Sequence, residues 1–286
     1  MQMNFKMVSL AALAVLAGGA QAAVTGSLVA PGNSSVLFVA LDANSNTGLV
    51  IDLGLNMSDF SNVSSANLPQ GSWNFADNTT TFGAVTGNSW SAAYDTFKAA
   101  QSGGDFTWGV IAGDSVTGAS VTASNAIIGR GVLTTGTPSA ANMTSVVNGT
   151  SLGNGLGNFN NFVAAAANRG NLAAANNGGA ATTSSDASAW QPTLIGDRFG
   201  GNIPWSYMLS NGAVSNFQWI QQVTANPVVK QFGDVTTTDS LSATPLTFSF
   251  DIATNTLVAA VPEPSTYAML IAGLAAVGFV ARRRRV

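Results

Sequence analysis

The chain has 286 residues, of which only 8% are charged, against about a quarter in ordinary soluble domains. It holds no His and no Cys, and its formal charge is −3. These counts exclude an imidazole metal site, a Ser–His–Asp triad, a thiol nucleophile, a disulfide and an iron–sulfur cluster. A content of 46% apolar residues excludes a charge-rich disordered chain.

The first element, residues 1–22, reads as a secretory signal peptide. Lys6 gives a positive n-region, Val8–Ala17 an uncharged apolar run, and Ala20-Gln21-Ala22 the small-x-small pattern of a cleavage site, so the mature chain is expected to begin at Ala23.

Residues 23–260 form the body. It carries five basic residues and twelve aspartates, a formal charge of −7. Phosphate neutralisation needs clustered Lys and Arg, so nucleic acid is not an expected partner. Strands are expected at Ser35–Leu41, Gly48–Leu53, Phe106–Ala112, Ala126–Thr134, Trp205–Leu209, Pro227–Phe232, Leu246–Ile252 and Thr256–Val261, the last two joined by a loop at Ala253–Asn255. Trp90–Ala100 reads as a helix capped by Asn88 or Ser89, with Trp90, Ala93, Tyr94 and Phe97 on one face. Weaker helices are expected at Ala140–Val147 and Phe159–Asn168. Residues 148–188 are rich in Asn, Gly and Ala and are expected to form a low-complexity loop with a short helix. The fold class is therefore mainly β: an antiparallel, sandwich-like body with short helices, an N-terminal signal helix and a single C-terminal transmembrane helix.

The last element, residues 261–286, has three parts. Pro262-Glu263-Pro264 ends the preceding strand, and Ser265 and Thr266 are able to cap a helix. The apolar stretch 265–281 would be about 25 Å long as a helix, just short of a hydrocarbon core of about 30 Å. Arg282, Arg283, Arg284 and Arg285 follow and mark the cytoplasmic side. This order resembles the PEP-CTERM sorting signal of Gram-negative bacteria, with Pro262, Glu263 and Pro264 as the motif and Arg282–Arg285 as the basic end. The resemblance implies recognition by an exosortase, processing near the motif, and association with exopolysaccharide and biofilm. Glu263 is the only glutamate in the chain and is the candidate recognition contact.

The expected function is thus an exported cell-surface or matrix protein without enzymatic activity or cofactor. Its expected partners are the Sec export machinery, an exosortase, the inner membrane in transit, and exopolysaccharide. Two rival readings stand beside it. A polysaccharide-binding module would stack sugars on Trp73 and Trp190, which sit beside polar loops. A secreted hydrolase would pair two of the aspartates. Asp42, Asn44 and Asn46 offer alternate oxygen ligands for calcium, but the spacing departs from an EF-hand loop and fits a polar hairpin turn.

Overall fold

Strand β1 (Ser35–Asp42) is buried along its whole length. Its sequence is a continuous apolar run rather than an alternation, the pattern of a strand covered on both faces. The computed structural model describes residues 34–60, 68–82, 90–101, 106–114, 131–136, 159–170, 172, 178–186, 209–223, 226–231, 246–261 and 273–274. The expected signal peptide, the helix at 140–147 and all of the C-terminal span but Gly273 and Leu274 lie outside them.

Two neighbours flank β1, β2 (Thr47–Asn56) and β5 (Thr107–Asp114), both antiparallel. Beyond β2 lies β7 (Gly179–Thr183), and beyond β5 lies β6 (Gly131–Thr135). The ten-residue strand β9 (Val214–Val223) then pairs with β6 through Phe217–Gln221 and, on its other edge, with β11 (Thr247–Asp251) through Val214–Asn216. The sheet runs on through β12 (Thr256–Ala260), β3 (Gly71–Asn74) and β4 (Thr79–Thr80). The short β8 (Leu209–Ser210) pairs with β5, and β10 (Asn226–Gln231) with β9. Every pairing is antiparallel. Two separate sandwich layers were expected. Instead β9 belongs to both halves, and one continuous sheet curls over its own core.

Aromatic rings join the two halves across that core. Phe38 lies 4.9 Å from both Phe75 and Phe250, Trp108 lies 6.0 Å from Phe250, and Phe217 lies 4.8 Å from Phe248, measured between centroids. Such pairs add about 0.5–1.5 kcal/mol each beyond burial. Helix α1 (Ser91–Ala100) closes this side with Ala93, Tyr94 and Phe97, and Trp90 precedes it, all buried. On the opposite face of β1, Leu37, Val39 and Leu41 pack with Phe159, Phe162, Val163 and Ala166 of a second helix, α2 (residues 159–167). The short helix expected at Phe159–Asn168 within the stretch 148–188 is present, and the same stretch also supplies β7, a strand that was not expected. The helix has its few large apolar residues spaced to face one side, and it covers the back of β1.

Three hairpins share one turn. In Asp42–Thr47, Asn74–Thr79 and Asp251–Thr256, the first side chain accepts the N–H two residues on, from Asn44, Ala76 and Ala253. Asp42 and Asn74 also accept the N–H three residues on. Each turn ends on an asparagine with positive φ, namely Asn46 (52°), Asn78 (52°) and Asn255 (57°), a conformation that asparagine tolerates better than most residues. Two of these asparagines also grip α1. Asn78 Oδ1 accepts the Ser91 N–H at 2.8 Å, and its amide donates to Ser91 Oγ. The cap thus comes from a distant turn, while Trp90 at the N-cap position makes no side-chain cap. Asn255 Oδ1 accepts from Tyr94 Oη at 2.9 Å and from Lys98 Nζ at 2.6 Å. Burial, then Asp95 and Asp251, push the Tyr94 phenol up, so it remains a donor.

Two outcomes follow. Phe162→Ala should lower the unfolding free energy by about 3–5 kcal/mol in urea titration, and a loss under about 1 kcal/mol would mean that α2 does not seal β1. Asn255→Gly keeps the turn and loses the α1 contacts, whereas Asn255→Ala loses both. The alanine variant should therefore be the less stable of the two by about 1 kcal/mol.

Candidate functional site

The sorting segment leaves the body from β12, which is an interior strand. It pairs with β11 from Thr256↔Asp251 to Ala260↔Thr247 and with β3 from Thr256↔Asn74 to Ala259↔Gly71. Buried residues alternate along it, Leu257 and Ala259 facing the core. Thr247 Oγ1 donates to the Ala260 carbonyl at 3.1 Å, and Val261 packs against the core beyond the strand. The ladder ends at Ala260, two residues before Pro262, which has no N–H with which to extend it. Pro262, Glu263, Pro264 and Arg282–Arg285 lie outside the described residues, as do Ala20, Ala22 and Ala23.

Residues 260–285 match the family model of the PEP-CTERM protein-sorting motif. The match begins at Ala260, the last residue of β12. No curated protein and no solved structure matches the chain. The PEP-CTERM motif is consistent with an exosortase substrate and implies an exported, membrane-anchored precursor. Among the described residues no helix is long and apolar enough to cross a membrane.

The candidate sugar contacts fare differently. Trp73 is corrected: its side chain is 0% exposed, sealed between Phe82 and Phe248, and offers no face to a sugar. Polar neighbours in the sequence mislead at this position, because β3 is paired on both edges and turns its one large side chain inward. Trp190 lies outside the described residues. Asp42, Asn44 and Asn46 form the β1–β2 turn. Asp42 is buried with Oδ1 turned to the Asn44 and Ser45 N–H groups.

Other aspartates do similar local work. Asp59 accepts the Asn56 N–H, and Asp251 that of Ala253. Asp186 accepts the Thr183 N–H and pairs with Arg169. Among the described residues no group of three or more carboxylates converges as metal ligands would.

The sequence gives no warning of the role of Asp52. It lies at a bulge where Ser35 faces Asn56 but Leu37 faces Asp52, so β2 carries two extra residues. Gly54, at φ 71°, turns the chain there, a conformation that strains any residue with a Cβ. Two indoles meet the backbone at this point: Trp90 Nε1 donates to the Asp52 carbonyl at 3.2 Å, and Trp73 Nε1 to that of Leu53 at 3.0 Å. Burial raises the Asp52 carboxyl to about 6, while hydrogen bonds from the Gly54 N–H and the Ser35 side chain pull it down.

With a folded pKa above the unfolded one, the stability contributed by Asp52 is complete below pH 3.8 and is lost as the pH rises through about 6. The span corresponds to about 3 kcal/mol. Asp52→Asn should therefore match the parent near pH 4 and exceed its stability at pH 7.5 by up to about that amount. Urea titrations at both pH values test this, and a parent as stable at pH 7.5 as Asp52→Asn would contradict it.

Proposed function

We propose that this chain is an exported surface or extracellular-matrix protein that an exosortase sorts through its C-terminal signal. Its mature role is structural or adhesive rather than enzymatic, in association with exopolysaccharide and biofilm. The match to the sorting motif at residues 260–285 carries the reading. It is supported by the N-terminal pattern of Lys6, the apolar run Val8–Ala17 and Ala20-Gln21-Ala22, which suits export.

The body suits an extracellular scaffold. Its aspartates at 42, 52, 59, 186 and 251 are engaged with local backbone N–H groups. Extensive antiparallel pairing and an aromatic core give rigidity without a disulfide. In the sorting step, the apolar stretch halts the chain in the membrane, the arginines fix its direction, and Pro262–Pro264 stand at the outer face. A membrane-embedded enzyme reaches an extended, proline-stiffened motif there.

Expression in paired strains with and without an exosortase should give a surface product of lower mass only where the enzyme is present, with an intact C-terminus in its absence. Intact-mass spectrometry reads this directly, and the same uncleaved C-terminus in both strains would sink the sorting assignment. Glu263→Ala should leave the full-length form in the membrane fraction.

A further inference from the structure

We infer that Lys98 and Asn255 become joined by an isopeptide bond in the folded body, with loss of ammonia, so that a chain without cysteine staples helix α1 to the β11–β12 turn. The inference concerns the body alone and does not depend on how the chain is sorted.

A nucleophile, an amide carbon and a proton donor converge here from different elements. Asn255 closes the β11–β12 turn with positive φ, and its backbone carbonyl accepts the Phe75 N–H from the chain after β3. Its carboxamide is thus presented from a fixed backbone. Lys98 lies in the last turn of α1, whose start is held by the Asn78 cap and by the Trp90 hydrogen bond to the Asp52 carbonyl. Lys98 Nζ stands 2.6 Å from Asn255 Oδ1. With a C=O bond of about 1.23 Å, Nζ is then within about 3.8 Å of Cγ whatever the angle. That limit encloses the separation of about 3–3.5 Å from which bonds form. Tyr94 Oη, from the same helix, donates to the same oxygen at 2.9 Å. The related turns are arranged otherwise: Asn78 meets the Ser91 N–H and hydroxyl, and among the described residues only Asn255 has its carboxamide met by an amine.

The chemistry balances without an oxidant or reductant. Lys98 is exposed, so its ammonium gives a proton to solvent and frees the amine. The nitrogen lone pair forms the Nζ–Cγ bond as the carbonyl pair moves onto Oδ1. Tyr94 already faces that oxygen, and burial together with Asp95 and Asp251 keeps the phenol protonated, so the oxyanion meets a preset donor. The surplus proton on Nζ passes through water to Nδ2. Collapse restores the C=O and breaks Cγ–Nδ2, and ammonia leaves. The two residues are 157 positions apart, so the bond closes a long loop and constrains the unfolded chain strongly.

Full-length chain in detergent would be held at neutral and at mildly alkaline pH. Intact-mass spectrometry should show the folded protein lighter by one ammonia than its assigned termini require. Peptide mapping should recover residues 98 and 255 in one linked pair, whereas a succinimide would lose ammonia within a single peptide. Lys98→Arg keeps a donor to Asn255 and should retain full mass, and it should unfold at lower urea than the linked protein. Tyr94→Phe should slow the mass loss about tenfold or more. A parent chain that unfolds cooperatively in urea yet keeps its full mass at both pH values would overturn the inference, as would ammonia loss confined to one peptide. Neither result depends on the variants folding.

Discussion

A strand with no polar face cannot lie at a surface, and the two-sided burial of β1 sets the terms for the rest of the molecule. Val36, Phe38 and Ala40 need one apolar partner layer, and Leu37, Val39 and Leu41 need another. The first is met by curling the sheet through β9, so that Phe75, Phe248 and Phe250 come over β1 together with α1. The second is met by α2. Fully burying a Val, Leu or Phe side chain contributes about 1.5–3 kcal/mol, so the five of them on this one strand form a strong seed. The outer half of the sheet has no such demand. β11 and β12 alternate between buried and half-exposed residues, as a one-sided sheet should.

The bulge in β2 is where these layers are pinned together. Two extra residues in an antiparallel ladder remove their carbonyls from regular pairing, and a buried carbonyl without a donor costs about 1–3 kcal/mol. Trp90, at the start of α1, and Trp73, in β3, each donate an indole N–H there. The same two residues thus fill the core and fix the positions of the helix and of the curled-over half. Asp52 belongs to this arrangement. Its carboxylate takes the Gly54 N–H inside the bulge, and the desolvation that raises its pKa is the cost of closing the turn in an apolar setting.

How much of this was legible in the sequence depended on how local the cause was. β1, β2, β5, β11, β12 and α1 carry their own apolar runs or periodicity and could be placed closely. The Asp42 turn is written in residues two and three apart and could be read as a turn. Trp73 could not, because what buries it is Leu257 across the β3–β12 ladder and Phe248 beyond, near the other end of the body. Similarly, β7 is a run of Gly, Ala and Thr with no strand signal of its own, and it becomes a strand because the edge of β2 is there to pair with it, whereas the spacing of Phe159, Phe162 and Val163 made α2 readable. A local signal does mark these turns: Asp or Asn followed four residues later by Asn and then Thr occurs at 42, 74 and 251, and each occurrence is a hairpin. The sorting segment was legible for the opposite reason. Its parts are recognised in linear order, by composition and spacing, with no partner from elsewhere in the chain.

The junction between these two kinds of information bears on the order of events. β12 cannot join the sheet until β3 and β11 are present, and both precede it in the chain, β3 by most of the body. On the sorting reading, export proceeds from the N-terminus and stops at the apolar stretch, which begins four residues after Val261. When translocation stops, β12 has just become available on the outer side. The last ladder of the body and the arrest of the chain in the membrane are therefore adjacent in time as they are in sequence. On that reading, a body that failed to close would leave residues 256–261 as slack, adding about 20 Å of chain between the sheet and the motif. On the same reading, folding of the sheet determines how far from the membrane the Pro-Glu-Pro motif can stray, and so how narrowly it is confined for an enzyme that lies in that membrane.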